Sequence, residues 1–320
     1  MNENSTASTL GRHEKYDRLI AAARSLQPIA TAVAHPCDET SLKGAVEAGE
    51  AGLIKPILVG PKSKIAAVAK EFSLDLGEVE IVDVPHSQAA AEKAVELVRT
   101  GKADLLMKGS LHTDELLSEV MKRETGLRTG RRISHVFVMD VPGHAQTLFI
   151  TDAAVNIAPD LVSKRDIIQN AIDLYAGLGL GTPKVAILSA VETVTSTIPS
   201  TIEAAALCKM ADRGQITGGE LDGPLAFDNA ISPEAARIKG IKSPVAGQAQ
   251  ILVVPDLEAG NMLAKNLTFL SHADAAGIVL GARVPIILTS RADHVRTRMA
   301  SCAVAALLRH SQMARQPIQV

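Results

Sequence analysis

The chain has 320 residues, 33 Lys plus Arg against 35 Asp plus Glu, and a formal net charge of −2. That near-neutral balance lacks the basic excess that supplies phosphate-backbone affinity, which argues against nucleic acid as a main partner. With 47% hydrophobic residues the chain can bury a large core, and its length suits about two lobes rather than one small domain.

Three cysteines, Cys37, Cys208 and Cys302, lie far apart without a C-x-x-C pair, so neither a disulfide scaffold nor a cysteine zinc site is indicated. The polar N-terminus lacks the apolar stretch of a secretory signal, and no window of about 18 residues is free of charged and turn residues. A soluble cytoplasmic protein with no membrane contact is expected. The first 17 or so residues read as a polar tail, with residues 13–27 alternatively forming a helix packed on the first lobe.

Short apolar runs bounded by Gly, Pro or Asp alternate with stretches of helical periodicity. In chain order the pattern predicts a strand over 29–34, a helix over 40–51, strands over 56–60 and 79–84, a helix over 87–99, a strand over 104–109 and a helix over 113–124. Residues 134–155 read as a β-hairpin turning at Pro142-Gly143-His144, a plausible hinge between lobes. A strand over 184–190, a helix over 198–211, a strand over 250–255, a helix over 257–272 and a strand over 285–290 follow. Alternation of this kind is the signature of an α/β protein, and the continuous apolar strands belong in a sheet covered on both faces.

Several common motifs are missing. There is no G-x-x-x-x-G-K-[ST] loop, no H-E-x-x-H and no G-x-S-x-G elbow, so neither a P-loop site, a metal nor a hydrolase serine is implied. Gly177-Leu178-Gly179-Leu180-Gly181 precedes a strand instead of following one, so it reads as a helix end and loop, not a dinucleotide turn. Cys302 lies in the helical run SCAVAALL and reads as a core thiol.

Four polar clusters remain at segment ends. Lys108-Gly109-Ser110, with His112 opening the next helix, either offers amides and a charge to an anion or is a plain turn with a solvated lysine. Arg128, Arg131 and Arg132 crowd a glycine-containing stretch, where guanidinium groups suit bidentate phosphate contacts if they are more than a wet surface. Ser290, Arg291 and Asp293 follow the last strand, either as a helix capping box or as donors converging on an anion. Residues 220–261 are dense in Gly, Pro, Asp and Asn, and Asp256 with Gly260 and Asn261 opens a helix there, with Asp256 alternatively a simple cap.

DGPLAFDNA (222–230), SPVAGQAQILVVPDLEAGN (243–261), LTSRAD (288–293) and MKGSLHT (107–113) together resemble the phosphate acetyltransferase and phosphate butyryltransferase family. The likeness spans about residues 100–310, and MKGSLHT and GLRTG look nearer the butyryltransferase branch. The resemblance implies a two-lobed, three-layer αβα fold like that of isocitrate and isopropylmalate dehydrogenases. Residues 1–150 with 279–320 would form one lobe and 151–278 the other, with the active site in the interlobe cleft of a homodimer. It also implies reversible transfer of acetyl or butyryl between coenzyme A and inorganic phosphate through a direct ternary complex, with acyl-CoA as substrate and no bound cofactor. A non-catalytic acyl-CoA-sensing domain is the alternative.

Carried over by residue, Ser290 would hydrogen-bond the developing oxyanion and Arg291 would hold the phosphoryl group. The aspartate that acts as base in the acetyltransferase branch lies seven residues after the serine, where this chain has Thr297, so Asp293 is the nearest carboxylate. An arginine of the acetyltransferases is also missing from residues 113–119, and Arg128, Arg131 or Arg132 would supply that charge. Lys108, Gly109, Ser110, His112, Asp256, Gly260 and Asn261 complete the expected substrate contacts.

Overall fold

The computed structural model describes residues 14–288 and 294–315. The chain forms α1 (Glu14–Arg24), β1 (Ile29–Ala34), α2 (Glu39–Glu50), β2 (Ile54–Gly60), α3 (Lys62–Glu71), β3 (Glu80–Asp83), α4 (Ser87–Arg99), β4 (Leu105–Lys108), α5 (Thr113–Val120), β5 (Ser134–Asp140) and β6 (Leu148–Thr151). It continues through α6 (Leu161–Gly177), β7 (Lys184–Leu188), α7 (Pro199–Asp212), β8 (Glu220–Leu225), α8 (Phe227–Ile231), α9 (Pro233–Ile238), β9 (Ile251–Val253), α10 (Leu257–Leu270), β10 (Asp274–Leu280), β11 (Ile286–Ile287) and α11 (Val295–Arg315).

The expected α/β alternation holds, and the hairpin over β5 and β6 is antiparallel as its turn residues require. The two readings of the N-terminus resolve in favour of a helix: Tyr16, Leu19 and Ala23 of α1 are buried. α6 ends at Gly177, and Gly179 and Gly181 take φ of +74° and +89°, so the glycine run is a helix end and loop. Some ends fall short of expectation for local reasons. α5 stops at Val120 because the Leu127 N–H donates to the Val120 carbonyl at 2.8 Å and turns the chain back.

Among the described residues one mixed sheet carries eleven strands in the order β3-β2-β1-β4-β11-β10-β5-β6-β9-β7-β8. β10 is antiparallel to both β11 and β5, and β5 is antiparallel to β6, while all other neighbours are parallel. Hence β1 to β5 and β11 run one way and β6 to β10 the other. One end of the sheet therefore gathers the carboxyl ends of β1, β4, β11 and β5 with the amino ends of β6, β9 and β7. The opposite end gathers the amino end of β5 with the carboxyl ends of β6, β9 and β10.

Strands buried on both faces explain the uninterrupted apolar runs: every residue of Leu105–Met107, Ile251–Val253 and Gly277–Leu280 is buried. One apolar cluster packs α4 and α5 on the first strands, a second packs α10 on β6, β7 and β9, and a third joins α1, α2, α6 and α11 across the middle. Tyr16 ties this middle together. Its hydroxyl accepts the Ala276 N–H at 2.5 Å and lies 2.5 Å from the Val138 carbonyl, while its N–H donates to Asp140 Oδ2 at 3.1 Å.

Candidate functional site

The reversal of strand direction divides the four sequence clusters into two groups. β11 pairs in parallel with β4, Ile287 beside Met107, so the chain leaves the sheet at Leu288 next to Lys108. Ser290, Arg291 and Asp293 follow that strand end in the sequence and lie outside the described residues. Lys108, Gly109, Ser110 and His112 therefore stand at the same end of the sheet as the exit from β11. Arg128, Arg131 and Arg132 precede β5, and Asp256, Gly260 and Asn261 follow β9, which puts both sets at the opposite end.

The Lys108 end is built on a close crossing of two strand ends. A methyl group added at Gly109 would lie 2.3 Å from the Ala34 carbonyl oxygen and 2.5 Å from that of His35, so only glycine fits. Its N–H donates to the Ala34 carbonyl at 2.9 Å, and Ser110 N–H donates to the His35 carbonyl at 2.9 Å. The Ser110 hydroxyl donates to the same carbonyl at 2.8 Å and faces His35 Nδ1 at 2.9 Å. Lys108 Nζ donates to the Gly109 carbonyl at 3.1 Å, and exposed His112 caps α5 through its backbone.

His35 and Cys37 belong to this crossing, although sequence reasoning did not single them out. The usable signal was position, because His35-Pro36-Cys37 follows directly on the first strand. His35 adopts a φ of +54°, which turns the chain under Gly109. Burial, then the nearby Lys64 charge, holds its imidazole below the ordinary histidine value. Burial pushes the Cys37 thiol up to about 11, so it stays protonated at neutral pH. The same sheet end includes the hairpin turn, where Lys15 Nζ donates to the Val141 carbonyl at 2.9 Å and the His144 carbonyl at 2.8 Å.

Gly109→Ala is expected to destabilise the protein by about 1–3 kcal/mol, the range for overpacking against groups that cannot yield. Urea unfolding measures it, and an unchanged midpoint would show that the two strand ends can separate at no cost.

At the opposite end, the three residues that open α10 are engaged in packing. Asp256 Oδ1 accepts the Ala259 N–H at 2.8 Å as the helix cap. A methyl group at Gly260 would lie 2.6 Å from Val254 Cγ2 and 2.8 Å from Ala153 Cβ, so the glycine lets α10 close on the loop after β6. Asn261 Nδ2 donates to the Ala153 carbonyl at 3.3 Å. That loop is fixed from within by buried Asp152, whose Oδ1 accepts the Ala154 and Val155 N–H groups at 3.0 Å. Buried Asn156 carries it to the arginines by accepting Arg132 Nε–H at 2.7 Å. Arg131 pairs with Asp173 at 2.7 Å, while Arg128 has no side-chain partner among the described residues.

The general class is thereby defined: a mixed α/β protein that presents amides, hydroxyls and cations where parallel strands end. The particular family follows from comparison. The chain belongs to the family described as Phosphate acetyl/butaryl transferase, whose model matches residues 86–306. A phosphate acetyltransferase of Rhizobium meliloti is 78% identical over 293 residues, covering 92% of this chain and 93% of its own length. A phosphate butyryltransferase of Clostridium beijerinckii is 44% identical over 295 residues, covering 92% and 98%. The crystal structure of a branched-chain phosphotransacylase from Enterococcus faecalis V583 superposes with a TM-score of 0.76 at 32% identity, covering 88% of this chain and 99% of that one. Acyl transfer between coenzyme A and phosphate is the family function.

Proposed function

We propose that this protein transfers an acetyl group reversibly between coenzyme A and inorganic phosphate. The observation that carries the reading is the 78% identity with a phosphate acetyltransferase along 92% of the chain. Both reactants are anions and neither reaction partner needs activation by a covalent enzyme intermediate. A phosphate oxygen attacks the thioester carbonyl in a ternary complex, a tetrahedral oxyanion forms, and the C–S bond breaks to release coenzyme A thiolate.

Hydrogen-bond donors and cations must dominate where that charge develops. On this reading Arg291 holds the phosphoryl oxygens, Ser290 donates to the oxyanion, and Asp293 is the nearest carboxylate for proton transfer with the thiol. Lys108, the Gly109 and Ser110 turn and His112 border the same place. Support comes from the pairing of β4 with β11, which brings the two chain segments off the sheet side by side. Thr297, at the acetyltransferase base position, is 4% exposed within α11 and cannot ionise near neutral pH, so the base must be another group.

The same reading takes residues 1–150 with 279–320 as one lobe and 151–278 as the second, in a cytoplasmic homodimer. Exposed Met262, Phe269 and Leu270 on α10, at 65%, 73% and 74%, suit a contact between copies.

A butyryl preference is the second reading, favoured by the GLRTG and MKGSLHT segments and by the similarity to a branched-chain phosphotransacylase. Phosphate-dependent thiol release from acetyl-CoA, propionyl-CoA and butyryl-CoA decides between them. The highest kcat/KM is expected with acetyl-CoA; a maximum at butyryl-CoA would establish the second reading. Binding without thiol release would overturn both and leave an acyl-CoA sensor.

A further inference from the structure

The first turn of α1 carries three consecutive side chains that tie distant parts of the chain together at the Lys108 end of the sheet. Lys15 Nζ meets Asp140 Oδ1 at 2.8 Å and donates to the Val141 and His144 carbonyls at 2.9 and 2.8 Å, so all three ammonium hydrogens are engaged at the carboxyl end of β5. Tyr16 is fully buried. Its N–H donates to Asp140 Oδ2 at 3.1 Å, and its hydroxyl lies 3.0 Å from the Asp274 carbonyl at the amino end of β10. Asp140 and Asp274 are themselves neighbours across β5 and β10. These contacts fix the helix against the sheet and with it the place of the third residue, Asp17.

Asp17 Oδ1 pairs with Arg296 in the first turn of α11 at 2.5 Å, and Arg296 Nε stands 3.9 Å from Asp274 Oδ2. Before α11, the last residue of the sheet exit is Leu288, whose N–H donates to the Gly277 carbonyl at 3.3 Å. The chain thus leaves the sheet beside Gly277 and begins a helix beside Asp274, on the same strand. Further along α11, Ser301 Oγ accepts the Gly277 N–H at 3.2 Å, so the helix lies on β10. Ser290, Arg291 and Asp293 fall between these two anchors in sequence. One anchor is a backbone hydrogen bond of the sheet. The other is a side-chain ion pair that a single substitution releases.

We infer that Asp17 is a positioning residue for acyl transfer: by holding Arg296 it fixes where α11 begins, and so where the stretch bearing Ser290 and Arg291 is anchored. The inference rests on the reading that Ser290 and Arg291 act on the reactants. Geometry and stability separate here. The Asp17 side chain is 64% exposed and that of Arg296 36%, and an ion pair in that setting contributes little to global stability. Orientation is more demanding, because displacing reacting groups by about 1 Å through a change remote from the chemistry can cost about 10²-fold in rate. A pair nearly neutral for folding therefore weighs on turnover.

Phosphate-dependent thiol release from acetyl-CoA by the full-length protein is the test, with the thermal midpoint of each variant measured alongside. Asp17→Asn keeps the side-chain shape and removes the charge. It is expected to lower kcat by about tenfold or more while the thermal midpoint stays near that of wild type. Asp17→Glu, which returns a carboxylate to Arg296, should recover part of the loss. Arg296→Gln should lose at least as much as Asp17→Asn, and adding Asp17→Asn to it should cost nothing further, since residues that act as one pair are non-additive. Unchanged kcat and KM in Asp17→Asn, losses that multiply in the double variant, or a loss of activity that tracks a falling thermal midpoint each overturn the inference. An inactive wild type is a different failure: it removes the transferase reading, and the inference with it.

Discussion

Replacing Arg291 by alanine is expected to lower turnover with acetyl-CoA, propionyl-CoA and butyryl-CoA alike, by on the order of 10² to 10³. The equality matters as much as the size. An arginine that holds the phosphoryl end is blind to acyl length, whereas a residue lining the acyl pocket would change the order of preference among the three substrates, by about 1–3 kcal/mol per methylene. Arg291→Lys should recover part of the loss, because a lysine supplies charge but not two parallel N–H donors. Steady-state kcat and kcat/KM, measured with phosphate varied against saturating acyl-CoA, separate the roles. Wild-type turnover in the alanine variant would remove Arg291 from the mechanism, and loss confined to one substrate would move it to the acyl pocket.

How far the site could be read from sequence depended on strand direction. A polar cluster after a strand is visible in sequence, and MKGSLHT and LTSRAD were singled out on that ground; the chain leaves β11 beside Lys108, while Ser290, Arg291 and Asp293 lie outside the described residues. What could not be seen is which way each strand points in the finished sheet. The β5–β6 hairpin reverses the direction for everything that follows until β11, so the carboxyl end of β9 faces away from the carboxyl end of β4. PDLEAGN therefore looked equivalent to MKGSLHT and stands at the other end, where Asp256 caps α10 and Gly260 and Asn261 meet the loop after β6. Conversely, the turn at Pro142 to His144 carried no site signal, yet it lies at the Lys108 end.

The fold was legible where local pattern and tertiary need agree. α4 occupies residues 87–99, the span its periodicity marks, because capping at His86 and burial of Ala90, Ala91, Ala94 and Val98 act together. β10 was not legible. Its Ala275, Ala276 and Gly277 have low strand propensity, and a strand there is made by partners far along the chain. Tyr16, 260 residues away, takes the Ala276 N–H, and the Ser301 hydroxyl takes the Gly277 N–H at 3.2 Å. Such contacts have no signature within a sequence window. They explain why α1 and α11, at the two ends of the chain, both pack on this strand's surroundings.

One buried group in this middle region should make stability depend on pH. His135 is 1% exposed on β5, its ring centroid 4.4 Å from that of Phe137 in an edge-on contact, and its Nδ1 has no hydrogen-bond partner among the described residues. Burial holds its pKa down at about 4, opposed by the pull of the buried Asp152 carboxylate, against an ordinary value of 6.5. The unfolded chain therefore takes up a proton on His135 at a pH where the folded chain does not. Stability is fully present above pH 6.5 and drains away as the pH falls toward 4. Between pH 7 and pH 5 this one site is expected to cost about 2 kcal/mol. Partly buried His35 and His144, both also held low, add to the same trend, so the measurement is comparative. His135→Phe keeps an aromatic ring beside Phe137 and cannot titrate. Urea midpoints at pH 7, 6 and 5 should fall more steeply for wild type than for the variant. Parallel curves would mean that His135 keeps an ordinary affinity for protons in the folded protein, through a water or a polar neighbour that relieves its burial.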